Sequence, residues 1–404
     1  MGPNTFTDKS TLQSLTHEEA LWLNLYFRLN LTPILLVETL ADLAQERLNA
    51  PDGMVRSLAR KSTIRRGWLT AHHETIGQGE LLGSDLTLDG RPIVLDEHAI
   101  TTGNGKGVLL RRPAQVEAMD RWCHGAFKEL ERRWARDWRE SLEALDLRAQ
   151  ARTPPDPPRT FPECQELATR MIDRDGARFA TLRLAIERFR CDDRASVMRR
   201  WKEAGGPCLR TFAPFAAHVL TVDAFFGLAL GAGLLSPDRP SNQTDIAYCY
   251  YLPFCQVFVS SDRLHRNVVP LFLREDQEFV PGLELKEDLS RLNAYYENQP
   301  ESVHRAGAFR FARYPPTAGT FLTARIWDRC HPGWREQVDA PPEAVTPELK
   351  AAFAELIARH KNPDSVQTQP CLEAADVLVV QQDVPVQVGR WNLFAPEILA
   401  REKD

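Results

Sequence analysis

The run Val257-Phe258-Val259-Ser260-Ser261-Asp262 decides how this chain is expected to fold. It is apolar on consecutive residues, not alternate ones, and an acidic residue stops it. Such a strand is covered on both faces, which belongs to a parallel sheet flanked by helices. Upstream, PFAAHVLTVDAFFGLALGAGLL (214–235) is apolar nearly all round and reads as a buried helix, and TDIAYCYYLPF (244–254) reads as a second one. Downstream, VVPLFL (268–273) reads as the next strand. Near the N-terminus the β-prone Thr5-Phe6-Thr7 ends at Asp8, a second short run stopped by an acid. Thr16 and Glu19 form a capping box, so a helix is expected from there to about Leu29. Pro33 at a first helical position, followed by Leu36, Leu40 and Leu43, predicts another. The fold class is α/β.

Between these two blocks the character changes. Strand-like runs GRPIVLDEH (90–98) and GVLLRR (107–112) precede a charged stretch from Pro113 to Ala149 that reads as one long helix. TPPDPPRTFP (153–162) ends it, and an arginine-rich helical stretch then runs from Cys164 to Ala204, closed by Gly205-Gly206-Pro207. Beyond the second block come an amphipathic helix, TPELKAAFAELIARHK (346–361), and a strand pair within DVLVVQQDVPVQVGRW (376–391). The expected organisation is a core from 1–48 and 207–280, a mostly helical inserted domain over 49–206, and a C-terminal α+β extension over 281–404.

A chain of 404 residues with 43% hydrophobic and 26% charged residues has the composition of a globular protein with room for a core. Its formal charge of −5 excludes a global basic field, so a polyanionic partner would have to be held by a local patch. The eight cysteines are scattered without a C-x-x-C pair, which favours a reduced, cytoplasmic setting. No basic stretch followed by an apolar one marks a signal peptide at the N-terminus. The apolar stretch 217–235 carries His218 and Asp223, so no membrane association is expected from it.

Open α/β sheets place ligands at the carboxyl ends of their strands. Asp8 and Asp262 stand at two such ends, while Glu38 and Asp245 stand on adjoining helices, Asp245 in the first turn of its own. Four converging carboxylates repel one another unless a cation lies among them, and oxygen-only ligation favours Mg²⁺ or Mn²⁺. Each acid also has a plainer role: Asp8 as a turn residue, Glu38 as an ordinary helix acid with Asp42 as the functional neighbour, Asp245 as a helix-dipole acid, Asp262 as a cap.

The pattern resembles the PIN domain, a family of metal-dependent ribonucleases built on a parallel sheet flanked by helices. The resemblance is carried by Asp8-Lys9-Ser10, by Glu38 about thirty residues later, by Asp245, and by the hydroxyl-x-Asp triplet Ser260-Ser261-Asp262. It covers roughly residues 4–48 and 208–275, and serine stands where threonine is more usual in the triplet. It implies that Asp8, Asp245 and Asp262 bind the divalent ion, that Glu38 completes the shell or orients water, and that Ser10 and Ser260 help hold water or the scissile phosphate. The implied activity is hydrolysis of RNA, with single-stranded DNA as the alternative substrate. The alternatives are a related DNA-directed phosphoesterase and a scaffold without hydrolysis whose insertion binds a protein or nucleic-acid partner.

Other features carry less. Gly103-Asn104-Gly105-Lys106-Gly107 lacks the register of a phosphate-binding loop and is expected to be a flexible loop. His72-His73, Cys123-His124 and Cys330-His331 lack a second pair at zinc-ligand spacing. In the arginine-rich stretch Arg183, Arg188 and Arg190 are interleaved with acids, which favours a solvated or interdomain face over an RNA track.

Overall fold

The computed structural model describes residues 2–44, 51–62, 69–93, 97–102, 105–110, 114–317, 320–338, 377–379 and 385–396. Its central element is a four-stranded, wholly parallel sheet of β1 (Asn4–Thr7), β2 (Arg28–Leu29), β5 (Val257–Ser260) and β6 (Glu278–Pro281), in the order β2-β1-β5-β6. β1 and β5 are buried at every position, as a sheet covered by helices on both faces requires. Register is set by Phe6 facing Phe258 and by Phe258 facing Phe279. A parallel bridge between Leu31 and Leu69 adds a residue of the 49–206 stretch beside β2. The remaining strands are β3 (Glu97–Thr102) antiparallel to β4 (Gly105–Leu110), β7 (Val377–Val379) parallel to β4, and the antiparallel pair β8 (Gln387–Val388) and β9 (Trp391–Asn392).

Several expectations of the sequence are met where local chemistry acts alone. Asp8 caps the helix Lys9–Ser14, and Thr16 with Glu19 closes a capping box on His17–Tyr26. Thr32 caps the helix Pro33–Ala41 with Pro33 at its start. The apolar run becomes the helix Pro214–Gly231, the one described helix long and apolar enough to cross a membrane, with most of its surface packed inside the molecule. Its first free N–H groups, those of Phe215 and Ala216, donate to the buried Glu80 carboxylate at 2.9 and 2.8 Å.

Other expectations fail for tertiary reasons. The helix from Thr16 stops at Tyr26 because Arg28 and Leu29 are taken into the ladder beside Asn4 and Thr5. VVPLFL is not a strand: Asp262 caps a helix, Arg263–Val268, and Val269–Leu271 continues it as a 3-10 turn. Pro270 would also lack the N–H that a central strand must donate. The next strand is β6. The charged stretch is not one helix but Ala114–Cys123 and Glu129–Glu143, parted at Gly125, which has φ of +74°. The arginine-rich stretch divides into Phe161–Ile172, Arg178–Arg188 and Arg194–Glu203, with Arg190 at φ +50° in one of the breaks. TDIAYCYYLPF begins its helix earlier, as Ser241–Ala247, and finishes as a 3-10 segment over Tyr248–Phe254. Of the late strands Val377–Val379 joins β4, and the pair that forms, β8 with β9, lies at the end of the expected segment. Gly105-Lys106-Gly107 opens β4. The amphipathic helix expected over 346–361 lies outside the described residues.

Among the described residues one hydrophobic cluster runs from Phe6, Trp22 and Phe258, through Ala168, Leu182 and Phe189, to Leu285, Leu292 and Trp391. The C-terminal part is tied to the helix His17–Tyr26 by polar contacts as well. Trp22 stacks on Tyr296 with ring centroids 4.7 Å apart, and the indoles of Trp22 and Trp391 both donate to Asn293 Oδ1, at 2.8 and 2.9 Å.

Candidate functional site

The strand order defines the location before any side chain is considered. The chain runs from β1 outward to β2 on one side, then returns to lay β5 and β6 on the other. β1 and β5 are therefore the switch point of a doubly wound sheet, where a crevice opens at the carboxyl ends of the two strands. Asp8 follows β1 directly, and Ser261 and Asp262 follow β5.

Asp8 is buried and fully engaged. Its Oδ2 accepts from Ser10 Oγ at 2.6 Å and Ser260 Oγ at 2.7 Å, and its Oδ1 accepts the Thr11 N–H at 2.9 Å. Burial alone would raise its carboxyl, but His265, Ser10 and Thr11 outweigh that and hold it at about 2. It is ionised across the neutral range. Asp262 Oδ1 accepts the Leu264 N–H at 2.6 Å as a helix cap, and its own N–H donates to Ser260 Oγ at 2.9 Å.

Glu38 and Asp245 approach from the helix layer. Burial pushes Glu38 up to about 7; Asp245 and Asp8 add to the rise, while the Tyr248 hydroxyl, which donates to its Oε2, and Lys9 oppose it. Burial likewise pushes Asp245 up to about 6, with Asp262 and Asp8 adding to the rise and His265 and Arg239 opposing it. Asp245 does not lie in a first helical turn, because the helix begins at Ser241. Its Oδ2 is buried with no hydrogen-bond partner, and the nearest cation, Arg239, is 3.9 Å away. Glu38 thus senses Asp8 and Asp245, and Asp245 senses Asp8 and Asp262, although among the described residues no three such side chains stand closely enough together to hold an ion. Ser10 and Ser260 both turn to Asp8. Asp42, the neighbour of Glu38 considered as its rival, is paired with Lys9 at 2.5 Å.

Two residues of the site escaped the sequence reading. His265 is buried behind Asp8, with Nδ1 2.8 Å from Ser260 Oγ and 3.8 Å from Asp8 Oδ2. Its Nε2 lies 2.7 Å from the Asp245 main-chain oxygen, which can only accept, so Nε2 carries a proton. Burial disfavours its charged form, yet Asp8 outweighs that and raises its pKa. Tyr248 holds Glu38 from below. The available signals were spacing: His265 lies three residues past Asp262, and Tyr248 three past Asp245.

The helix Gly282–Glu297 closes the crevice from the β6 side. A Cβ on Gly282 would stand 2.1 Å from Ser261 Oγ and 2.7 Å from Thr11 Oγ1, two hydroxyls that face each other at 3.3 Å. Gly282→Ala is therefore expected to lower stability by about 1–3 kcal/mol, read as a lower thermal midpoint. An unchanged midpoint would mean that the helix start is free to move away.

The histidine and cysteine pairs do not add a second site. His73 accepts from Arg188 Nη2 at 3.3 Å and meets Tyr251, and the described cysteines form no disulfide with one another. Arg188 donates to Asp223 at 2.7 Å, so it ties the helix Arg178–Arg188 to Pro214–Gly231. Compared with family models, curated proteins and solved structures, the chain matches none of them.

Proposed function

We propose that the chain is a metal-dependent ribonuclease with a PIN-like core, an inserted helical unit over 49–206 and an α+β extension over 281–404. The observation that supports the proposal is the electrostatic coupling of Asp8, Glu38, Asp245 and Asp262 around the switch point of a parallel sheet, where Glu38 and Asp245 are pushed up to about 7 and about 6. Carboxylates coupled at a strand-end crevice, with one buried oxygen left without a hydrogen bond, suit a hard cation.

The donor set fits Mg²⁺ or Mn²⁺ in chemistry, being oxygen only. Asp245 and Asp262 would hold the ion with Asp8, and Glu38 would complete the set. Among the described residues, as they stand, no three such side chains are gathered closely enough to enclose an ion, so side-chain rotation would have to close the set. When bound, a divalent ion supplies a Lewis acid and a water ionised near neutral pH. The protein's own groups do the rest. Asp8 stays ionised and fixed by its hydroxyl partners. Glu38 exchanges a proton near neutrality, at a carboxyl that Tyr248 orients. No histidine base is required, and His265 sits behind Asp8 as a positioning group.

A second reading, a scaffold without hydrolysis, draws on one feature: both Asp8 oxygens are already occupied by Ser10, Ser260 and Thr11. Assays with single-stranded RNA, single-stranded DNA and flap DNA in Mn²⁺ separate the readings. Cleavage of RNA that EDTA abolishes is expected. Cleavage confined to DNA would move the substrate class, and none on any strand would favour the scaffold. The cytoplasm is the proposed location, in keeping with the absence of disulfides among the described cysteines.

A further inference from the structure

A large cavity opens between the helices Glu129–Glu143, Arg178–Arg188, Pro214–Gly231 and Ser241–Ala247, with a volume of about 910 Å³. That is the size of a site for a small organic group, far more than an ion needs. Its wall includes Ile34 and Val37, which precede Glu38 on the same helix, and Thr244 and Ile246, which bracket Asp245. The cavity and the acidic crevice thus share two helices.

Its lining has a definite chemistry. The formal charges cancel, with Arg152 and Arg188 against Glu74 and Asp223, and Arg188 is already held by Asp223 at 2.7 Å. A balanced lining offers no field that would draw in a phosphate. Trp138 lines the cavity half-buried, and among the described residues its indole has no hydrogen bond and no ring partner. A large aromatic left without a partner on a cavity wall is a stacking platform. Gln150 and Gln243 face each other at 3.4 Å on the same wall. Whichever way the two amides are turned, one donor group and one acceptor remain for a ligand.

We propose that this cavity binds one unpaired nucleobase of a single-stranded RNA, on Trp138 and against the Gln150–Gln243 pair, beside the crevice where the backbone is cut. The choice of ligand class rests on the ribonuclease reading. The cavity takes the uncharged, planar, hydrogen-bonding part of the strand, and the phosphates stay outside among the groups that handle charge. The insertion then contributes to substrate choice through Trp138, while the chemistry remains with the core.

The test measures binding of a labelled single-stranded hexaribonucleotide to the full chain in EDTA, so that hydrolysis plays no part. Trp138→Ala is expected to weaken binding about tenfold, and Trp138→Phe to restore most of it, since a base needs a π-face to stack on. Moving a single abasic site along the strand should find one position that costs wild type about the same, and Trp138→Ala should add nothing on that strand. Gln243→Ala should change the preferred base at that position without moving the thermal midpoint. Equal affinity of Trp138→Ala and wild type, an undiminished Trp138→Ala penalty on every abasic strand, or no binding by wild type would overturn the proposal. Binding as expected with no cleavage of any strand in Mn²⁺ would instead overturn the ribonuclease reading and leave the base site standing.

Discussion

Replacing Asp245 by Asn, or Asp262 by Asn, is expected to slow RNA hydrolysis in Mn²⁺ by at least about 10²-fold, because each removes a charge that a divalent ion at the switch point would rely on. The fold should survive both changes. Asn caps a helix nearly as well as Asp, so Leu264 keeps a partner in Asp262→Asn. Asp245 gives the fold little through its side chain, since its buried Oδ2 makes no hydrogen bond and its ion pair with the exposed Arg239 is long, at 3.9 Å. Its ionised form is a burden: burial and its acidic neighbours raise it to about 6, so it is charged at higher pH against its surroundings. Metal-free Asp245→Asn should therefore be more stable than wild type by about 1–2 kcal/mol near pH 8, seen as a higher melting temperature. A variant that loses activity and stability together would show Asp245 to be a structural residue.

The metal-free protein should lose stability as pH rises from about 5 to about 8, and Mn²⁺ should restore it chiefly at the upper end. Glu38 and Asp245 both have folded values above their ordinary ones, about 7 and about 6. Groups raised in this way stabilise fully below their unfolded pKa, and that contribution is lost as pH climbs through the folded value. His265 is also raised and acts with the same sign. Asp8, held at about 2, acts oppositely, but its contribution is complete above about pH 4 and lost only towards about pH 2. Glu38 keeps part of its surface in water, so the loss across the window is about 2 kcal/mol and not the full sum of the shifts. Glu38→Gln combined with Asp245→Asn should flatten the profile. A melting temperature independent of pH over this range, with Mn²⁺ and without, would mean that the acids do not sense one another.

The parts of this architecture that local chemistry controls were readable from the sequence. β1 is a short β-prone run and β5 a short apolar one, each followed by an acid, the Thr16–Glu19 box marks a helix start, and Pro33 and the apolar 214–231 stretch mark two more. What could not be read depends on distant partners. β2 has only two residues and exists because β1 lies alongside. β6 begins with Glu278, which gives no strand signal of its own, whereas the β-branched VVPLFL looked like a strand and was claimed by the helix that Asp262 starts. The charged stretches have mostly helical composition, and they break where Gly125 and Arg190 take positive φ, the second with no glycine to announce it. At the site, the acids stood out because a strand-ending carboxylate is a local feature. His265 and Tyr248 did not, since their partners Asp8 and Glu38 lie more than two hundred residues away.

The most direct test of the cation site is a Mn²⁺ titration of the metal-free protein followed by electron paramagnetic resonance, in which bound ion is distinguished from free. Wild type is expected to take up Mn²⁺ stoichiometrically at about pH 7.5, with affinity falling as pH is lowered through the folded values of Asp245 and Glu38. Asp8→Asn combined with Asp245→Asn should leave the added ion free. Unaltered uptake by that double variant, or no uptake by wild type, would contradict a divalent cation held by these acids at the ends of β1 and β5.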